Sequence, residues 1–268
     1  MMRLLKIVVI AVAGMICVIT SPVRAALIAH YSFDNATIFG STLQNIANPG
    51  NSDGTIFASG GAVTTGVAGI SGEAFQFNTV GSVSLGTGVV KSQLEGTQTW
   101  SISAWVNMSS VTPGHILYRR EVGGTTDAEG GLRVEAGNLP QAFVQDGSSS
   151  STFLNSPVSI DVGEWAHVVG IREGFPGNDW RLYLDGVEFS GPGTSLSLES
   201  TAGVPEIGID LDGLIDEVRV YDHALTQGEV LTLFAEGQQA QVSAPGTFLI
   251  FGLGLAGLGL ARRRKVLV

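Results

Sequence analysis

Apolar and polar positions alternate along most of the chain. From Trp100 to Val106, the side chains of Trp100, Ile102, Ala104 and Val106 fall on one face of an extended strand and Ser101 and Ser103 on the other. Leu27–Phe33 repeats the period, with Leu27, Ala29, Tyr31 and Phe33 together. Shorter runs predict strands at His115–Arg119, Leu132–Ala136, Ala142–Gln145, Trp165–Ile171 and Ile207–Ile209. Clusters of Gly, Asn and Ser lie between them, the pattern of antiparallel sheets with one covered face. The clearest local unit is 180–190, where Asp185-Gly186 supplies the positive φ angles of a two-residue hairpin turn. One helix is predicted, after Leu225: Thr226 and Glu229 make a capping box ahead of Val230, Leu231 and Phe234. Many strands and a single short helix predict an all-β domain.

Both ends depart from this pattern. Arg3 and Lys6 precede an apolar run from Ile7 to Ile19, followed by Pro22 and Val23-Arg24-Ala25. That is the layout of a secretory signal, cut after Ala25. At the other end Ser243-Ala244-Pro245-Gly246-Thr247 leads into the apolar stretch Phe248–Ala261, closed by Arg262-Arg263-Arg264-Lys265. As a helix that stretch spans about 21 Å, short of a ~30 Å hydrocarbon core without help from its flanks. Four consecutive cations hold its end on the cytoplasmic side. The expected organisation is a signal peptide over 1–25, one domain over 26–237, a linker over 238–247 and a C-terminal transmembrane sorting or anchor segment over 248–268.

Composition sharpens the picture. The net charge is −10, and half of the 14 Lys and Arg lie in the two ends, so the body is more acidic than the whole. Such a body repels phosphate backbones, which excludes nucleic acid as a partner. The one cysteine, Cys17, lies inside the export signal. The exported chain therefore has no disulfide, thiolate metal site or thiol nucleophile.

Several motifs occur in the order found in one family. They are Ala29-His30-Tyr31-Ser32-Phe33-Asp34, Gly72-Glu73-Ala74-Phe75-Gln76-Phe77, Ser101-Ile102-Ser103-Ala104-Trp105-Val106 and Glu164-Trp165-Ala166-His167-Val168-Val169. Arg181–Gly186 and Gly213–Tyr221 complete the series. Over about 27–237 the chain resembles the laminin-G-like, concanavalin A-like jelly rolls, which implies an antiparallel β-sandwich. Many members carry a disulfide that this chain lacks. Residues 242–265 resemble the PEP-CTERM sorting signal, which implies an exosortase-type processing enzyme as a partner and a link to exopolysaccharide producers. The Pro-Glu-Pro of that signal reads Ser243-Ala244-Pro245 here.

Asp216 is the most informative single residue. In a strand over 214–221 it shares a face with Leu214, Val218 and Val220, and a buried carboxylate must be hydrogen-bonded, paired or metal-bound. Two readings stand, a structural partner or a calcium ligand; the family resemblance implies calcium between the N-terminal strand and this one. Asp34 and Asp53 are the natural companions, because calcium takes six to eight oxygen ligands. Asp210 and Asp212 form a second acidic pair. His30, His115, His167 and His223 are dispersed and make no metal motif, and no Gly-x-Ser-x-Gly element occurs. Nor do clustered carboxylates of the glycosidase type appear, so no catalytic residue is assigned. Trp180 and Tyr118 are the candidate sugar platforms, with Trp100, Trp105 and Trp165 expected in the core. The expected function is a secreted or surface-displayed, non-enzymatic module that binds extracellular carbohydrate or a matrix protein. A structural matrix protein without a specific ligand is the alternative, and a polysaccharide-degrading enzyme ranks third.

Overall fold

The computed structural model describes residues 26–243, apart from 59–61, 97, 121–127, 147–149, 175–178, 192–195 and 197–202. The predicted signal peptide and the apolar tail lie outside the described residues. In chain order the strands are β1 (Leu27–Tyr31), β2 (Ile38–Phe39), β3 (Thr42–Leu43), β4 (Gly54–Phe57), β5 (Val63–Ala68) and β6 (Glu73–Asn78). Next come β7 (Ser82–Ser84), β8 (Trp100–Met108), β9 (Gly114–Arg120), β10 (Glu129–Glu135), β11 (Leu139–Gln145) and β12 (Ser151–Asn155). The series ends with β13 (Trp165–Arg172), β14 (Trp180–Leu184), β15 (Val187–Gly191), β16 (Pro205–Ile207) and β17 (Asp212–Tyr221). Two α-helices, α1 (Val89–Leu94) and α2 (Gln227–Ser243), and a short 3-10 turn at Asn35–Thr37 complete the elements among the described residues.

The strands form two antiparallel sheets. One runs β15-β14-β13-β8-β17-β6-β5, with β1 on the C-terminal half of β17; the other runs β12-β11-β10-β9-β16-β7-β4-β3-β2. Their inner faces close over a core that includes Trp100, Ile102, Ala104, Val106, Phe75, Phe77, Leu132, Val134 and Trp180. The alternation in β8 is therefore the alternation the sequence predicts. Asp185 (φ 50°) and Gly186 (φ 78°) make the tight turn between β14 and β15. The Glu229 carboxylate accepts the Thr226 N–H at 2.8 Å and the Thr226 hydroxyl accepts the Glu229 N–H at 3.3 Å, which is the expected capping box.

Helix α2 covers the outer face of the first sheet. Val230 and Leu233 pack there on Val169, Ile171, Tyr183 and Tyr221. Phe234 stacks on Trp105 with centroids 5.7 Å apart, and a Cβ on Gly237 would run into the same indole. Trp105 is thus buried under the helix, on the opposite face of β8 from the main core.

Three expectations need correction. Leu27 does not join Ala29, Tyr31 and Phe33: a register shift between Leu27 and Ala29 turns it to the α2 side. In β17 a bulge between Asp216 and Arg219, with Glu217 at φ 53°, lets Ile215 and Val218 both enter the core although they are three apart. Leu214 and Val218 consequently face opposite sides. Trp180 is 1 % exposed and meets Trp100 edge to face at 5.7 Å, so it is core and no sugar platform.

Candidate functional site

Asp34 and Asp216 are brought to one loop, between β5 and β6. The fully buried Asp216 accepts the Ser71 N–H at 3.1 Å on one carboxylate oxygen and the Glu217 N–H at 2.7 Å on the other. Asp34 accepts the Glu73 N–H at 3.0 Å. Gly69 and Gly72 leave room for these carboxylates, since a Cβ on either would collide with Asp216 or Asp34. Burial pushes the Asp216 carboxyl up to about 8; the Ser71 N–H opposes this, and the nearby Glu217 and Asp34 charges raise it further. Asp53 stands on a separate loop, where one of its oxygens accepts the N–H groups of Asn45 (2.9 Å) and Gly50 (3.1 Å).

This oxygen-rich corner suits a hard cation in donor type. Among the described residues no three His, Cys, Asp or Glu side chains converge as a metal cluster. Calcium here would rest on Asp34 and Asp216 and otherwise on backbone carbonyls. Of the second acidic pair, Asp212 accepts the Ser110 hydroxyl at 2.6 Å.

The outer face of the nine-stranded sheet carries a second constellation. Cross-strand register aligns His115, Arg133, Gln141 and Asn155 on β9 to β12. The next row aligns Glu206, Tyr118, Gly131, Phe143 and Phe153. In the polar row Arg133 donates to Gln141 at 2.7 Å, Gln141 donates to Asn155 at 2.6 Å, and Arg133 pairs with Glu135 at 2.6 Å. The Arg133 guanidinium lies over the Phe143 ring at 4.0 Å, and His115 stacks on Tyr118 at 3.9 Å. Gly131 lies between Tyr118 and Phe143 in register, and a Cβ there would strike the backbone of Leu117 and Tyr118.

The Arg133 guanidinium therefore lies on an aromatic base, held by Gln141 and Glu135. Phe153 is 56 % exposed at the edge of the face, beside exposed Asn155. Tyr118, a predicted platform, is itself buried. Glu206, on the same face, has its carboxyl raised by burial and by Asp210.

Sequence reasoning missed this lattice. Arg133, Gln141 and Asn155 lie 8 and 14 residues apart and meet only through the register of two hairpins. It also missed two fully buried arginines. Arg119 donates to the Gly203 carbonyl at 3.2 Å and reaches Glu95 at 3.4 Å; Arg172 donates to the carbonyls of Gly96 and Leu196.

A family model described as the concanavalin A-like lectin/glucanases superfamily matches residues 77–231. The chain belongs to that superfamily. The sandwich places this concanavalin A-like chain among enzymes and binding domains alike. Domain 4 of AbnA, a GH43 extracellular arabinanase from Geobacillus stearothermophilus solved in complex with arabinotriose, shares 25 % identity and a TM-score of 0.57. The match covers 78 % of this chain and 98 % of that domain. Trypanosoma rangeli sialidase in complex with sialic acid is 16 % identical (TM-score 0.55), over 80 % of this chain and 33 % of the sialidase. The receptor binding domain of botulinum neurotoxin D is 14 % identical (TM-score 0.57), over 80 % and 53 %. The last two likenesses are of fold alone. No curated protein matches the chain.

The PEP-CTERM protein-sorting motif matches residues 241–265, which indicates export and association with the cell envelope. No helix among the described residues is long and apolar enough to cross a membrane.

Proposed function

We propose that this concanavalin A-like protein is a non-enzymatic carbohydrate-binding module displayed at the cell envelope. In this reading residues 1–25 direct export, and the segment 248–261 holds the chain in the membrane until an exosortase-type enzyme acts on the tail. The observation that carries the binding role is the lattice Glu135–Arg133–Gln141–Asn155, with Arg133 laid over Phe143, on the outer face of β10 to β12. The partly exposed Arg133 guanidinium and the exposed Asn155 amide, held by the buried Gln141 between them, are offered to sugar hydroxyls with little ordering cost. Phe153 adds an exposed ring beside them. The related arabinanase domain, solved with an arabinose trisaccharide, supports the same ligand class.

Hydrolysis needs two carboxylates flanking one bond. On this face Glu135 is engaged by Arg133, and Glu206 lies in the neighbouring row. A second proposal concerns calcium, bound by Asp34 and Asp216 at the 69–73 loop; the buried, acid-flanked Asp216 carboxylate supports it. The test is a glycan array that includes linear arabinan, probed with the chain from Ala26 onward, with calcium and then with chelator. Saturable, competable binding to a defined sugar class supports the module. Absence of binding to every glycan leaves the structural matrix role, and turnover of a bound chain that disappears in Glu206→Gln would replace the module with a glycosidase.

A further inference from the structure

Strand β8 and helix α2 run in the same direction. The Ser101 hydroxyl accepts the Leu225 N–H at 3.0 Å just before the helix, whereas Phe234 and Gly237 lie against Trp105, four residues further along the strand. Burial of α2 ends at Gly237, and Gln238, Gln239 and Gln241 are exposed. The last six residues, about 9 Å of helix, therefore continue past Trp105 toward the Met108 end of the sandwich. The sorting-motif match begins inside that projection, at residue 241. Only four residues, 244–247, separate the end of α2 from the apolar run that starts at Phe248. Fully extended they reach at most about 14 Å.

The loops at the Met108 end are tied together. The Thr79 N–H donates to Leu211 O at 2.8 Å, Ser109 N–H to Asp212 O at 2.9 Å, and Gly163 N–H to Met108 O at 2.9 Å. Ten large apolar side chains are exposed among the described residues, and five of them lie at this end. They are Val80, Val111, Val158, Val162 and Phe57, each 50–75 % exposed. Singly exposed apolar residues are ordinary, but half of them at the end from which the tail leaves are not scattered. The loops 79–81, 109–113, 156–164 and 208–212 carry Asp161, Glu164, Asp210 and Asp212 and no Lys or Arg. A strongly anionic surface would be repelled there.

We propose that this end of the sandwich seats on the lipid surface from which the tail emerges, with Val80, Val111, Val158 and Val162 entering the headgroup layer of a zwitterionic membrane. The inference rests on the reading that 248–261 is embedded in that membrane. The sheet faces then stand upright on the bilayer, and the Arg133–Gln141–Asn155 lattice faces sideways close above the lipid, since Asn155 adjoins the 156–164 loop and Arg133 pairs with His115 beside the 109–113 loop.

The test uses the full chain with Cys17→Ser and one introduced cysteine at a time, V111C, V162C or S92C, labelled with an environment-sensitive fluorophore. Ser92, in α1, is exposed at the opposite end, where Gln93 bonds Thr99 O beside the start of β8. Each protein is reconstituted into phosphatidylcholine vesicles containing a nitroxide-labelled lipid, and flotation shows whether the chain stays with them. The expected result is a blue shift and several-fold stronger quenching at 111 and 162 than at 92. Flotation with equal, weak quenching at all three sites overturns the seating and leaves the tail reading intact. Failure to float overturns both.

Discussion

Trp105 and Phe234 stack at 5.7 Å with their planes 14° apart, and His167 completes the cluster at 5.1 Å from the indole. This contact fixes the direction in which α2, and with it the sorting segment, leaves the body. An aromatic pair contributes about 0.5–1.5 kcal/mol beyond its area, and Phe234 is only partly buried. Phe234→Ala is expected to cost about 2 kcal/mol, less than the ~3–5 kcal/mol of a fully buried Phe→Ala. Gly237→Val forces the helix off the indole and is expected to cost more. Urea midpoints check both, and proteolysis within α2 should be faster for the glycine variant.

The lattice on β10 to β12 yields a separate expectation. Each lost hydrogen bond to a bound sugar is worth about 0.5–1.5 kcal/mol, so Asn155→Ala and Arg133→Ala should each weaken glycan binding about two- to tenfold. Stability should change little for Asn155→Ala, since that side chain is exposed. Phe153→Ala, at an exposed ring, should weaken binding several-fold without changing the urea midpoint. Titration calorimetry against the glycan found on the array decides. Unchanged affinity in all three variants would remove this face as the site.

Legibility in the sequence followed the range of each interaction. The faces of β8, the Asp185-Gly186 turn and the Thr226–Glu229 box depend on neighbours within a few residues, and all were readable. The β17 bulge was not, because its left-handed residue is Glu217, where no glycine advertises a positive φ. Asp216 could be singled out as a carboxylate in an apolar strand, and it is buried. What satisfies it, Ser71 N–H, lies 145 residues away in sequence. Arg133, Gln141 and Asn155 carry no local pattern, since cross-strand register is set by the turns. The burial of Arg119 and Arg172 carries no local signal either, because the carbonyls that receive them come from distant loops.

Calcium at Asp34 and Asp216 would make stability depend on the cation in a pH-specific way. A protonated carboxyl cannot ligate, and the Asp216 carboxyl stands at about 8 without metal. Calcium should therefore raise the urea midpoint strongly at pH 8 and weakly at pH 5.5. Asp34→Asn should abolish the increment. Asp53→Asn, whose carboxylate caps Asn45 and Gly50 on another loop, should lower stability but keep it. An unchanged midpoint with chelator at pH 8 rules the cation out.

With chelator present, Asp216 and His167 should shape the pH profile from opposite sides. Asp216 ionises near 3.8 when unfolded and at about 8 when folded. Its raised value contributes stability that is full below the unfolded value and lost as pH rises toward 8. His167, buried under α2, is lowered from 6.5 to about 3, chiefly by desolvation and also by Arg219. Its contribution is full above 6.5 and lost as pH falls toward 3. Between about pH 4 and 6.5 the folded state holds the Asp216 proton and the unfolded state the His167 proton, so the two slopes cancel. From pH 6.5 to 8 only Asp216 acts, and stability falls. Asp216→Asn removes a titrating group but keeps the side-chain shape. The difference in urea midpoint between variant and parent should therefore shift steadily in the variant's favour from pH 4 to 8 and level off above 8. A difference that does not change with pH would mean that the Asp216 carboxyl is ionised in the folded protein throughout, held so by something other than its two backbone amides.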